Sequence, residues 1–503
     1  MKRKNVNDTN ISDGVFAQAT ARPHAVAIID GEDSISYRSL CHGVCRAAKR
    51  FQEAGWRPGD IIGISLRGSS ALHLLVSLAL ARSGLTQVAV PPSDPAPLIR
   101  SRLRKIGVRG LVSDHALAAA SRVAILAPEP GWLVEMPSVS PPADLRISGG
   151  DRSWIVAETS GTTAEPKLIW VSHAVEELRR QRQAPLFRHL PGERFLNLTA
   201  MGFLSGIISA IRCLADGGTC AIPPAGLNSD QLLGWIDLHY VSYLNCVPLH
   251  LHQLLRDIHT DCPRLPSLRI LRCGTSLLPV STLAEVRRRI SANIYINYGT
   301  NEAGWVTAAT PDMLASHPDT VGKPLAGIDL EIADDEDQPL PPGVTGHIRI
   351  RGPGIQSSTL RTGTQDQVST YRNGWFYPGD IGVISESGLL FLKGRDDDVM
   401  CFDGIMIGPG EIESVLLQHP AIAQAAAFPL PSHEHQDVPA AAVVSPQPLQ
   451  LAELARFCQE RLGIRAPRLY FQFDEIPKNA MGKVLRNRLT EMALAKIEEG
   501  SRR

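Results

Sequence analysis

The spacing of apolar residues divides the chain into strand-like and helix-like runs that alternate. VAIID (residues 26–30) precedes SYRSLCHGVCRAAKRFQEAG (36–55), whose apolar positions recur at helical intervals. IIGISL (61–66) precedes SALHLLVSLALARSG (70–84), and TQVAV (86–90) precedes the helical LIRSRLRKIG (98–107) and the short run GLVS (110–113). Further strand-like runs follow at GTCAI (218–222), YLNCV (243–247), LRILRC (268–273) and NIYIN (293–297). Such alternation predicts largely parallel sheets covered by helices. From about Val321 the texture changes to short β-like runs divided by Gly and Pro, among them GHIRIRG (346–352), GWFYPGDIGVIS (374–385) and GLLFLKGR (388–395). These predict a small antiparallel, barrel-like unit. Beyond GRDDD (394–398) helical and strand patterns mix again, ending in the helical LAELARFCQERLG (451–463). The expected fold class is α/β: a large domain over residues 1–395 and a small, mobile α+β domain over 396–503, a usual domain size.

Composition narrows the function. A chain of 503 residues exceeds one ordinary core. Lys plus Arg equals Asp plus Glu at 51 each, so no net field draws the chain to nucleic acid or to an anionic membrane. The nine Cys are scattered without a CxxC pair, which argues for free thiols in a reducing compartment. The basic start MKRKNVNDTN leads into polar residues and lacks the apolar core of a secretory signal. LHLLVSLALA (72–81) is far shorter than a membrane span and reads as a buried helix. A cytoplasmic protein without a membrane span is expected.

Five stretches carry candidate chemistry. TSGTTAEPK (159–167) follows the apolar WIVAE, and loops at strand ends are where α/β proteins hold ligands. Its hydroxyls, turn N–H groups and Lys167 suit phosphate oxygens, although it is not a Walker A loop. NYGTNEAG (297–304) offers the Tyr298 ring for an adenine face and Glu302 for a Mg²⁺ ion. YPGDIG (377–382) offers Asp380 for ribose hydroxyls, GRDDD offers Arg395, and IPKNAMGKVLRNRL (476–489) carries Lys483 after a glycine. Taken singly, each also fits a surface turn, a charged linker or a solvated helix.

In order and spacing the five together resemble the motifs of the adenylate-forming superfamily: acyl-CoA synthetases, stand-alone peptide-synthetase adenylation domains and luciferases. The resemblance spans nearly the whole chain, and GEIES (410–414) matches the helix start that follows the family's hinge. It implies activation of a carboxylic acid by ATP and Mg²⁺ to acyl-AMP and pyrophosphate, then transfer to a thiol of CoA or of carrier-protein phosphopantetheine. It further implies that Thr159, Ser160, Gly161, Thr162, Thr163 and Lys167 hold the β- and γ-phosphates. Tyr298 would stack on adenine, with Gly274, Thr275, Gly299 and Asn301 beside the nucleotide. Glu302 would bind Mg²⁺, Asp380 the ribose, and Arg395 ribose or phosphate. Lys483 would contact the acid carboxylate and the α-phosphate, so that Lys483, Glu302 and Thr163 form the catalytic set. Rotation about Asp397 would then exchange Lys483 for the loop around Gly404, which lines the thiol tunnel.

The chain departs from the family pattern at Ala164, Asn301 and Pro378, which keep small size, hydrogen-bonding or turn character. Cys401 and Met406, where many members have Lys and Arg, leave the thiol acceptor open between CoA and a carrier protein. The stretch LTAMGFLSGI (198–207) places Phe203 in the acid wall and contains no carboxylate. Val247, Cys273 and Gly274 are the other expected wall residues, in segments that also lack an acid. An α-ammonium group would stay unpaired there at several kcal/mol, so an aryl or aliphatic acid without an α-amino group is expected. Two alternatives remain open: a free-standing adenylation enzyme that loads an amino or hydroxy acid onto a carrier protein, and a non-catalytic ATP-binding scaffold.

Overall fold

Three serines set the starts of the helices that matter most. Ser36, Ser70 and Ser172 each accept a hydrogen bond from the backbone N–H three residues on, at Ser39, His73 and Val175. The structure, a computed structural model, describes residues 8–501 except 95, 118–122, 135–144, 148, 159–167, 259–263, 357–370, 397, 399, 403–404, 433–435 and 480–481. Its first helices are α1 (Asp13–Ala21), α2 (Tyr37–Glu53), α3 (Ala71–Arg82) and α4 (Ala96–Ile106). The middle of the chain forms α5 (His173–Phe187), α6 (Leu204–Asp216), α7 (Ser229–Leu238), α8 (Pro248–Asp257), α9 (Val280–Arg289) and α10 (Pro311–Ser316). Last come α11 (Pro409–Leu416), α12 (Leu451–Leu462) and α13 (Arg486–Ser501). The apolar run in α3 is buried almost all round, as a helix without a polar face must be.

The parallel part of the chain makes two sheets. One contains β1 (Val26–Asp30), β2 (Asp33–Ser36), β9 (Arg194–Asn197), β10 (Thr219–Ile222), β11 (Val241–Cys246), β12 (Ile270–Cys273), β13 (Ile294–Thr300), β14 (Gly304–Ala309) and β15 (Lys323–Pro324). Its order is β15-β14-β13-β12-β11-β9-β10-β1-β2, and β13, β12, β11, β9, β10 and β1 run parallel. The chain leaves this sheet after β2, builds a second one, and returns at β9. The second contains β3 (Ile61–Ser65), β4 (Thr86–Ala89), β5 (Gly110–Ser113), β6 (Ala124–Leu126), β7 (Ser153–Glu158) and β8 (Leu168–Ser172), ordered β6-β5-β3-β4-β7-β8. Only its last pair, β7 with β8, is antiparallel.

The Gly- and Pro-divided region forms an antiparallel sheet of β16 (Asp329–Ala333), β17 (Gly346–Arg351), β18 (Tyr371–Arg372), β19 (Trp375–Phe376), β20 (Asp380–Ile384) and β21 (Leu390–Arg395). A fourth sheet follows: β22 (Met400–Phe402), β23 (Ile405–Ile407), β24 (Gln424–Ser432), β25 (Gln436–Val444) and β26 (Leu469–Gln472). From Met400 onward the buried apolar residues pack into clusters of their own, against β24 and β25. No helix among the described residues is long and apolar enough to cross a membrane.

Three histidines lie inside the larger part. Burial holds the His73 and His173 imidazoles down at about 4 and that of His189 at about 3, the last stacked on Tyr243 with ring centroids 4.4 Å apart. As pH falls below about 6.5, the unfolded chain takes up protons at these rings and the folded chain does not. Stability is therefore present above that pH and is lost as pH drops toward 4. His189→Phe keeps the aromatic packing and removes one titration. Its urea midpoint should change less than the parent's between pH 7 and pH 4.5, the difference amounting to about 2–3 kcal/mol. Equal losses in parent and variant would show that His189 is not held neutral.

Candidate active site

Because β9, β11, β12 and β13 are parallel neighbours, the loops after them leave from one edge of the sheet. Crevices at such carboxyl edges are where open α/β sheets bind ligands. The loop after β9 carries Phe203, half-buried at the start of α6. Val247 is buried at the start of α8, with its N–H bonded to His250 Nδ1 at 3.3 Å. Cys273 ends β12 fully buried, with a hydrogen bond to the neighbouring Cys246 thiol, and then burial, pushing its own thiol well up. Cys273 thus backs the wall and presents no surface to it. Gly274 and Thr275 follow, and Thr275 takes a left-handed φ of 76°, a strained conformation for a β-branched residue.

Gly274 has a specific reason to lack a side chain. A Cβ there would sit 2.7 Å from Asn297 Oδ1. That oxygen is buried and accepts no hydrogen bond among the described residues. An orphaned buried acceptor costs about 1–3 kcal/mol, and a bound molecule with an N–H or O–H directed there would remove the cost. Asn297 was not among the residues expected from the sequence. The signal available was a polar residue at the last inward position of an apolar strand, directly before Tyr298.

Tyr298 is buried, and its hydroxyl donates to Asp380 Oδ2 at 2.6 Å. Burial, and then the Asp380 charge, push the phenol well above its ordinary range, so it remains a donor. Asp380 and Arg395 are paired across β20 and β21, and Arg395 Nη1 stands 3.5 Å from Asp380 Oδ1. Gly379 makes the turn into β20 at φ +77°, with Arg395 Nη2 3.1 Å from where its Cβ would be. Three expected site residues are thereby joined in one chain: ring, carboxylate and guanidinium.

Glu302 lies beyond β13, half-buried, and its carboxylate accepts no hydrogen bond among the described residues. Its backbone is held instead: Arg179 donates to the carbonyls of Asn301, at 3.1 Å, and of Glu302. No group of three His, Cys, Asp or Glu among the described residues could hold a metal by itself. A lone free carboxylate suits a hard cation that takes its remaining oxygens from phosphate and water. Gly299 is the next-to-last residue of β13, where a Cβ would strike the Gly304 carbonyl oxygen at 2.1 Å.

Lys483 sits half-buried in a turn closed by Asn479, whose Oδ1 accepts from the Lys483 N–H at 2.9 Å. Lys483 Nζ makes no hydrogen bond or ion pair among the described residues. The neighbouring Gly482 packs against α8, where a Cβ would lie 3.3 Å from Leu249 Cβ. The turn therefore stands two residues from Val247, beside the expected acid wall. Thr159, Ser160, Gly161, Thr162, Thr163 and Lys167 lie outside the described residues, as do Asp397 and Gly404. Their flanks are described: β7 and β8 pair Glu158 with Leu168, so the 159–167 segment closes a hairpin at the end of β7.

The chain belongs to the AMP-binding enzyme family, whose model matches residues 15–358, and the family's C-terminal domain model matches 411–483. The particular relatives agree. A 2-succinylbenzoate–CoA ligase of Bacillus licheniformis is 24% identical over 482 residues, covering 94% of this chain and 98% of that protein. A fatty acid–[acyl-carrier-protein] ligase, MmaC, of Mycobacterium marinum is 26% identical over 527 residues, covering 95% and 97%. Among solved structures, the o-succinylbenzoate CoA synthetase of Bacillus subtilis, in complex with its acyl-adenylate intermediate, superposes with a TM-score of 0.86. It is 24% identical, covering 96% of this chain and 98% of that one.

If the Tyr298 hydroxyl orients Asp380, losing it weakens nucleotide binding and leaves acid binding alone. Tyr298→Phe should raise KM for ATP by about tenfold, the worth of a hydrogen bond to a charged group, with KM for the acid unchanged. Initial-rate kinetics with each substrate varied in turn decide this; an unchanged KM for ATP removes Asp380 and Tyr298 from nucleotide binding.

Proposed function

We propose that this protein is an AMP-forming acid–thiol ligase that activates an aryl or aliphatic carboxylic acid with MgATP and passes the acyl group to a thiol. The observation that carries this reading is the Tyr298–Asp380–Arg395 chain. Glu302, with a free carboxylate beyond β13, and Lys483, without a side-chain hydrogen bond among the described residues in a turn packed against α8, support it. The family match over both domains supports it, as do relatives that join acids to CoA or to a carrier protein. The acceptor is CoA or carrier-protein phosphopantetheine. On this reading residues 1–395 bind ATP and acid, residues 396–503 carry Lys483, and the enzyme works in the cytoplasm.

Carboxylate attack on phosphorus brings two anions together, so the site has to supply positive charge and in-line placement. No general base is required, because the acid is ionised at pH 7. Lys483 supplies a mobile charge at the acid wall, and residues 159–167 bind the leaving phosphates. Mg²⁺ held by Glu302 supplies neutralisation of phosphate charge. Asp380 and Tyr298 fix the nucleoside, with Arg395 at its edge. Rotation about Asp397 then withdraws Lys483 and brings the loop around Gly404 in for the thiol, so that one site serves two half-reactions.

Acid-dependent pyrophosphate release with hydroxylamine trapping, over a panel of acids, tests the proposal. Lys483→Ala should lower adenylation about a hundredfold or more, as expected for loss of a well-placed charge, while thiol transfer from a supplied acyl-adenylate survives. Release that does not depend on acid, or is equal in the variant, leaves the scaffold alternative standing.

The acid wall contains no carboxylate at Phe203 or Val247 to pair an ammonium. Acids without an α-amino group should therefore exceed their α-amino counterparts in kcat/KM by at least about tenfold, roughly 1.4 kcal/mol. A preferred α-amino acid would establish the adenylation-enzyme alternative.

A further inference from the structure

Arg179 and Arg182 stand three residues apart on α5 and share one face of it. They are 1% and 5% exposed. Charged side chains this deep normally pair with an opposite charge. Here neither guanidinium hydrogen-bonds a carboxylate among the described residues; both donate to backbone carbonyls instead. Arg179 Nε donates to Gly354 at 2.9 Å, and its Nη2 to Asn301 at 3.1 Å and to Glu302. Arg182 Nη1 donates to Pro353 at 2.9 Å, and its Nη2 to Ala303.

The two loops are shaped around these side chains. Gly304, at φ +65°, leaves room for Arg179: a Cβ there would be 2.9 Å from Arg179 Cδ. Gly354, at φ +78°, does the same, with Arg179 Cγ 3.1 Å from where its Cβ would be. A third tie joins the same parts, because Gln356 donates through its side chain to the Trp170 carbonyl in β8 and through its N–H to the Glu302 carbonyl at 3.3 Å. Helix α5 begins directly after β8, which is one arm of the hairpin around residues 159–167. The Glu302 loop is thus tied both to α5 and to β8, the strand that α5 follows.

We propose that Arg179 and Arg182 are positioning residues that set the Glu302 carboxylate for Mg²⁺, acting through the carbonyls of the Glu302 loop. The proposal rests on the reading of Glu302 as the Mg²⁺ ligand. Burial pulls the two guanidiniums down to about 10 and about 9, which leaves both charged at neutral pH.

The test is the Mg²⁺ dependence of acid-dependent pyrophosphate release at fixed ATP in the full-length enzyme. Glu302→Gln serves as reference and should raise the half-saturating Mg²⁺ concentration. Arg179→Met should raise it at least about tenfold while KM for the acid stays within about twofold. Arg179→Lys should recover part of the loss, since an ammonium reaches fewer of the carbonyls. If Glu302→Gln leaves the Mg²⁺ dependence unchanged, the role given to Glu302 fails, and this proposal with it. If Glu302→Gln shifts the dependence and Arg179→Met does not, the positioning role alone is overturned. A purely structural role would lower the active fraction, counted by stoichiometric acyl-AMP formation, without moving the Mg²⁺ midpoint. Should Arg179→Met fail to fold, Gln356→Ala loosens the same loop and should shift the midpoint in the same direction; no shift there overturns the proposal.

Discussion

Backbone carbonyls beyond the end of a strand need donors, and for residues 301–303 and 353–354 the buried Arg179 and Arg182 supply them, with the Gln356 N–H a second donor to Glu302. Much of the site's geometry depends on that contact. The loop after β13 cannot form ladder bonds once the strand ends, and a loop buried without donors would lose about 1–3 kcal/mol for each orphaned group. Two guanidiniums with fixed fork geometry serve five carbonyls from one helix face, which a lysine or a neutral amide could not do. The Glu302 backbone is thereby fixed while its side chain keeps a free carboxylate.

The same division, with structure bonded and chemistry free, runs through the other site residues. Asp380 is engaged on both sides, by the Tyr298 hydroxyl and by Arg395, and its position follows from the register of β20 and β21. Asn297 Oδ1 and Lys483 Nζ are left without partners among the described residues. Groups held by protein partners keep their orientation, and groups without partners can exchange water for ligand without breaking a native contact. A site for several anions needs both kinds.

Most of the architecture was legible because buried strands and an all-apolar helix leave plain patterns. VAIID, IIGISL, GTCAI and GHIRIRG became β1, β3, β10 and β17, and the apolar run around Leu74 became α3. That the parallel strands divide into two sheets was not legible, since strand order depends on which distant runs pair. In the candidate site, Tyr298, Glu302, Asp380 and Lys483 were legible by motif, and the structure joins Tyr298 to Asp380. Arg179 and Arg182 did not, because in ELRRQRQ they read as a solvated basic face of a helix. Only the tertiary placement of loops 120 and 170 residues away buries them. Asn297 was not legible for a similar reason: a polar residue in a strand takes its meaning from Gly274, just past the end of the neighbouring strand β12.

On the function proposed above, the contrast between two basic residues explains how the lysine can be carried on a separate small unit. Arg486 is spent on cohesion: it bonds Glu413 at 2.7 Å, the Ala427 carbonyl at 2.9 Å and Asp398 at 3.4 Å, joining α13 to α11, to β24 and to the end of the hinge segment. Removing it would strand partly buried carboxylates, so its place is fixed as long as the unit is folded. Lys483, three residues earlier, is held among the described residues only through its backbone, by Asn479, and its neighbour Gly482 touches the larger part at Leu249. A lysine locked in an ion pair with the larger part would resist withdrawal by the strength of that pair. One without a partner leaves at the cost of a small apolar contact. The rotation proposed above would require a rigid unit carrying a lysine free of ion pairs, and among the described residues the bonding around Arg486 and Lys483 fits both requirements.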